Sequence, residues 1–439
     1  MRQNDVLFWI WLAEALGAAN SDFRKILELY ESPYEVFCAE AEEFERRAGL
    51  REKTVARLMD KSLGRASEIL DSCERLGVGL MPYDSELYPQ SLREIKNPPV
   101  LLYYAGRVPK LSEHLCVGLV GTRKMSAYGM ETAYKISYEL ARKKVITVSG
   151  LAEGIDGVCG AATLRADGFT VAVMGCGLDR AYPPHHGKLM NEIARKGLLL
   201  SEYPPGTKPM QYNFPVRNRI ISGLSHAVAV IEAGLRSGSL ITAREAIMQG
   251  KDVFAIPSNA DGIGSEGTNG LLRDGAYFAT CAEDILRKYE YLFPTSAGAP
   301  EKCQRADVAY LQAIGVIGKR MMSVSEERQR ESKSSPSEGE KTCARSKART
   351  QVDRKEKKTR AAECSEEPKP PKSERSTGAT LSLDPLQEEI LRAMPDDRAI
   401  SSDALMKMEH PQGEILTALT MLEIMGLVEK LPGAAYRKI

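Results

Sequence analysis

No two cysteines in this chain have C-x-x-C spacing, and only a formal charge of +1 remains once acids and bases are balanced. No apolar run reaches the roughly 20 residues that a bilayer-spanning helix needs. Each absence argues against a class of protein. The nine cysteines, at 38, 73, 116, 159, 176, 281, 303, 343 and 364, are odd in number and widely scattered. The one tight cysteine–histidine pair, His114 with Cys116, has no second pair near it. This pattern argues against a disulfide framework and against a metal site, and it suits reduced thiols in a cytosol. Val6 to Leu12 is strongly apolar, but Asp5 before it, Glu14 after it and its shortness favour a core helix over a signal peptide or an anchor. Near-zero net charge does not argue against nucleic acid, because clustering rather than the total decides phosphate binding.

Clustering is what the middle of the chain shows. Phe214 to Ser225 reads F-P-V-R-N-R-I-I-S-G-L-S and gathers Arg217, Asn218, Arg219, Ser222 and Gly223. Read as a basic segment leading into a helix at Ile220 to Leu224, it would add side-chain charge to the free N–H groups and positive dipole end of that helix. Three further segments have the same character. They are V-G-T-R-K with Gly121, Thr122, Arg123 and Lys124; S-G-L-A-E-G-I-D with Ser149, Gly150, Gly154 and Asp156; and G-L-R-S-G-S-L-I-T-A with Gly238 and Ser239. Apolar runs precede them, as expected for buried parallel strands that empty into glycine-bearing turns, where α/β sheets bind phosphates. Arg123 can clamp a phosphate with paired hydrogen bonds, helped by Lys124, or pair with Asp156 or Glu153. Ser149, Gly150, Gly154, Gly121 and Thr122 would line the same pocket with N–H groups and hydroxyls. Asp156 would orient a donor or cap its helix. Phe214 stacks on a base or fills a core, with Tyr212 as a second stacking candidate. Cys176, between two glycines, is a reactive thiol or a packing residue.

Along the chain, residues 1–80 read as a small helical domain and 81–295 as a doubly covered α/β unit. Its strands are expected at 117–120, 145–148, 171–174, 198–201, 227–231, 252–256 and 276–279. Between Lys319 and Arg375 there are seventeen Lys/Arg, eleven Asp/Glu and no aromatic residue. Residues 318–378 therefore read as a disordered charged linker. Residues 381–439 alternate three helical patterns, the last at Gln412 to Met425, with two short strands around Pro432-Gly433, a winged-helix pattern. Its last helix has no cation and carries Glu414 and Glu423, which speaks against duplex reading and for protein contact. Every phosphate-type motif lies before Leu286, so a chain ended near Ala313 is expected to keep its nucleic-acid binding.

The motifs G-T-R, S-G-x-A-x-G-I-D, G-C-G-L-D-x-x-Y-P, F-P-x-R-N-R-I-I-S-G-L-S and G-S-L-I-T-A, in this order between about Leu101 and Leu286, resemble the DNA-processing protein A (DprA/Smf) family. The resemblance implies an extended Rossmann-like fold with a mostly parallel sheet, a leader like a sterile-alpha-motif or helix-hairpin-helix domain, and a winged-helix tail. It implies a cytoplasmic, non-enzymatic protein of natural transformation, without cofactor or metal. Such a protein binds and protects single-stranded DNA, loads the RecA recombinase onto it and forms a homodimer. Some family members carry a lysine shortly before the phenylalanine of the fourth motif, where this chain has Gln211, with Lys208 farther back. The enzymatic alternative is a nucleoside-monophosphate phosphoribohydrolase, whose G-G-x-G-T-x-x-E motif resembles G-L-R-S-G-S-L-I-T-A. Thr242 stands where that motif has its carboxylate, and Glu232 and Glu245 are out of register.

Overall fold

A computed structural model of the chain describes residues 3–318, apart from 45, 47, 48, 260–263 and 297, and shorter stretches between 384 and 438. The expected charged linker lies outside the described residues. The two regions belong to separate compact units.

The larger unit begins with six helices, α1 (Gln3–Leu16), α2 (Asp22–Leu29), α3 (Pro33–Cys38), α4 (Ala41–Glu43), α5 (Glu52–Leu58) and α6 (Gly64–Leu76). Local signals set their ends. Ser32 accepts a hydrogen bond from the Glu35 N–H with Pro33 in the first turn, and Gly77 closes α6 in the left-handed conformation. There follow β1 (Gly79–Pro82), α7 (Gln90–Arg93), β2 (Leu101–Gly106), β3 (Cys116–Val120), α8 (Ala127–Arg142), β4 (Ile146–Ser149), α9 (Ile155–Arg165) and β5 (Thr170–Met174). Then come α10 (Gly187–Lys196), β6 (Leu198–Ser201), α11 (Asn213–Leu224), β7 (Ala227–Val230), α12 (Ser239–Met248), β8 (Asp252–Ala255), α13 (Glu266–Arg273), β9 (Tyr277–Phe278), α14 (Ala282–Leu286) and α15 (Val308–Ala313).

The nine strands form one sheet in the order β1-β2-β6-β5-β4-β3-β7-β8-β9. All neighbours from β6 to β9 are parallel, and β1 and β2 add an antiparallel margin. The mostly parallel α/β sheet expected from the sequence is present. Continuous apolar runs such as Val117–Val120 are buried on both faces because helices cover both. Val117 and Leu119 face a core that contains α8, α9 and α10, whereas Cys116 and Val120 face one built with α11 and α12. The leader is no separate body: Trp9, Ile10, Leu12 and Phe23 share the first of these cores with Tyr103 and Val117.

The unit also runs past the expected limit at 295. Arg142 pairs with Glu301, Arg165 pairs with Asp307, and the Cys303 N–H donates to the Glu139 carboxylate, while Leu311, Ile314, Val316 and Ile317 are buried. A chain ended near Ala313 would therefore lose part of the core, which is packed at least as far as Ile317.

In the second unit, Pro385–Ala393 is a helix with a capping box at Asp384. Ser402–Leu405 is helical, and β10 (Ile400–Ser401), β11 (Val428–Leu431) and β12 (Ala435–Lys438) form an antiparallel sheet in the order β10-β12-β11. Ile390, Leu405, Ile415, Leu419 and Tyr436 share its core. Much of the expected helix from Gln412 to Met425, with Pro432 and Gly433, lies outside the described residues.

Candidate nucleic-acid interface

The chain order of the strands reverses beside β3: β4, β5 and β6 lie to one side, β7, β8 and β9 to the other. Ligands of open α/β sheets bind outside the carboxyl ends of the strands at such a switch point. The loops that leave these ends carry Gly121 to Lys124, Ser149 to Gly154, Gly175 to Tyr182, and Glu232 to Gly238.

Arg217, the residue on which the basic-cluster reading rests, turns inward. Helix α11 begins at Asn213 rather than Ile220, with Pro215 in its first turn, where a missing N–H is no loss. The cluster therefore sits inside the helix, on the face towards the sheet. Arg217 is 3% exposed, and its Nη1 donates to the carbonyls of Gly150 (2.8 Å) and Val173. Burial lowers the Arg217 pKa to about 10 against the pull of Asp156, so it stays charged at neutral pH. Burial likewise raises the Asp156 carboxyl above the usual range, opposed by Arg217 and by backbone N–H groups including Gly150.

Arg219 donates to both carboxylate oxygens of Glu202, at 2.6 and 2.7 Å, with both side chains 7% exposed. Ser222 is buried and donates to the carbonyls of Asn218 and Arg219, and a Cβ at Gly223 would strike Leu92 and Ile95. Arg217, Arg219, Ser222 and Gly223 are thus corrected from phosphate contacts to internal roles. Asn218 reaches the Gly238 carbonyl at 3.4 Å, and Ser239 is buried with its hydroxyl 2.7 Å from Ser237.

A second correction concerns the backbone donors. The Gly150 N–H goes to Asp156 at 3.0 Å, and the Thr122 N–H goes to the Glu232 carbonyl at 2.7 Å. Ser149 is buried. Gly154, at φ +82°, is required because a Cβ there would lie 2.4 Å from the Thr122 carbonyl oxygen. These residues lock the β3 and β4 loops together; they are not an open cradle of N–H groups.

What remains outward is Arg123, Lys124, part of Thr122, and Gly238. Neither Asp156 nor Glu153 pairs with Arg123, which has no ion-pair partner among the described residues. Its guanidinium lies 5.5 Å from the centroid of the Phe214 ring. Phe214 is half-buried, stacks on Tyr182 with centroids 5.1 Å apart at 29°, and lies where a Cβ on Gly175 would meet it at 2.8 Å. Phe214 is consequently a packed wall that supports Tyr182 and Arg123, while Tyr212, 67% exposed, is the free ring. Tyr182 and Glu202 were missed as site residues. The Y-P of the third motif carried Tyr182, but nothing local signalled Glu202. Cys176 is buried and its thiol pKa is raised by burial to about 11, which leaves it a packing residue.

The model of the family described as DNA recombination-mediator protein A matches residues 79–290. The Bacillus subtilis DNA processing protein DprA is 40% identical over 220 residues, which are 50% of this chain and 74% of that protein. The chain belongs to the DprA/Smf family. A second DprA relative, from Streptococcus pneumoniae, is 44% identical over 207 residues, 47% of this chain and 72% of its own length. The X-ray structure of DNA processing protein A from Streptococcus pneumoniae superposes with a TM-score of 0.57 at 34% identity, covering 64% of this chain and 97% of that one.

Proposed function

We propose that this DprA/Smf chain binds single-stranded DNA without strong sequence preference across the carboxyl ends of β3 to β7. We further propose that it protects transforming DNA in the cytoplasm and passes it to the RecA recombinase as a homodimer. The observation that carries the reading is Arg123, an exposed and unpaired guanidinium braced on the Phe214–Tyr182 stack. A cation beside aromatic faces holds phosphates and stacks on any base, which gives affinity without a sequence code. Lys124 adds a second charge, Tyr212 a second platform. The family description, a recombination mediator, points the same way.

The nucleotide-hydrolase reading lacks a carboxylate in place. Thr242 is buried, and Glu232 accepts from the Ser126 N–H and hydroxyl at the start of α8. The second unit, with its helices and three-stranded sheet, fits a winged helix used for protein contact, and the leader fits a sterile-alpha-motif-like module. Arg123→Ala is expected to weaken single-strand binding for every sequence and to flatten the log–log salt dependence by about 0.7. Fluorescence anisotropy with homopolymeric and mixed strands across a salt series measures both, and an unchanged affinity would refute the assignment.

A further inference from the structure

The leader contains a cavity of about 300 Å³ between the turn after α1 and helix α5, rimmed by Ala18, Ala19 and Asn20 and lined by Arg51, Lys53 and Arg57. Three cations converge on it. Lys53 and Arg57 are four residues apart, on one face of α5, where like charges repel. Neither has a carboxylate within ion-pair distance among the described residues. Arg51 is held rather than free: its Nε donates to Asp22 at 3.0 Å and one Nη to Asn20 at 2.9 Å. Asp22 is buried and also accepts from Thr54 at 2.8 Å. Burial alone would raise its carboxyl, but the bonds from Arg51 and Thr54 outweigh this and hold it below the usual range. The floor of the cavity is therefore fixed, and the two outer cations face solvent with nothing to neutralise them. A buried carboxylate that already has its partners leaves this pocket suited to an anion.

Its position gives the anion a source. The Ala19 N–H donates to Glu202 at 3.3 Å, and Glu202 follows β6 at the same end of the sheet as Arg123. β6 is three strands from β3, roughly 14 Å at ordinary strand spacing. A strand held at Arg123 and led across β4 and β5 reaches the rim of the leader's cavity after a few nucleotides.

We propose that this cavity is a second phosphate site, which takes a backbone phosphate of the same single strand and extends the interface from the sheet onto the leader. The inference rests on the single-strand reading above and is tested apart from it. Full-length protein and the double variant Lys53→Gln, Arg57→Gln are titrated by anisotropy with strands of about 2 and about 16 nucleotides. Both side chains are exposed, so the variant keeps its fold. The expected result is at least a tenfold loss on the long strand, with a salt slope lower by about 1.4 for two lost contacts, and no change on the short one. An unchanged long-strand affinity, while Arg123→Ala still weakens binding, overturns the second site and leaves the proposed function standing. Inorganic phosphate that binds the wild type and not the double variant, without any effect on the long strand, marks a free-anion pocket and overturns it too. Failure of the wild type to bind either strand overturns both readings.

Discussion

A chain carrying Arg217→Ala is expected to lose about 3–5 kcal/mol of stability, the range for leaving a buried charge without its compensating cation. The substitution leaves Asp156 as a buried charge without its cation and strands the carbonyls of Gly150 and Val173. It thereby unfastens the β4 loop from α11. Arg123→Ala, by contrast, removes an exposed side chain and is expected to leave stability unchanged while weakening DNA binding. Urea unfolding of the two variants separates these roles. The deficit of Arg217→Ala should shrink as the pH falls through the mildly acidic range. Without Arg217 the folded-state pKa of Asp156 rises further above its unfolded value, so the folded protein gains the proton first and with it stability. An unchanged unfolding midpoint together with lost DNA binding would return Arg217 to the surface role its sequence context first suggested.

Ending the chain after Ala313 instead of after Gly318 is expected to remove about 5 kcal/mol. The five residues include Ile314, Val316 and Ile317, all buried against the first core, and burying one such side chain is worth about 1.5–3 kcal/mol. The longer version should unfold like the larger unit of the intact protein and retain its single-strand affinity. The shorter should be soluble only in part, with a lowered midpoint. Equal midpoints for the two truncations would show that the segment after α15 contributes nothing to the core.

The reasons for these corrections lie in what a linear sequence can encode. Strands β3 to β8 were legible because each is a short, mostly apolar run, and burial on both faces of a parallel sheet favours that pattern. The helices beside them followed from periodicity, α10 with both ends as expected. The start of α11 was not legible, because the apolar run begins only at Ile220, although Pro215 is accepted in the first turn of a helix. That one displacement moved Arg217 and Arg219 from a helix end to its buried face. Their partners explain the rest. Asp156 and Glu202 are distant in sequence or featureless in context, so nothing local distinguishes an arginine that meets phosphate from one that meets a carboxylate. Arg123 was legible as a cation at a strand's end, but its bracing by Phe214 and Tyr182 depends on two loops and the first turn of α11 meeting at the sheet's end.

The chain has two tryptophans, Trp9 and Trp11, and both are buried in α1. The Trp11 indole donates to the Asp60 carbonyl at 2.8 Å, and the Lys61 ammonium lies 5.3 Å from its ring centroid. Intrinsic fluorescence excited at the indole band is therefore a private signal of the helical leader, blind to the sheet on which Arg123 sits. Because α1 shares its core with β2 and β3, emission and far-ultraviolet ellipticity should change together on unfolding. A change in emission when DNA is added would originate at the leader, which makes these two residues a built-in optical probe of whether the nucleic acid reaches that far.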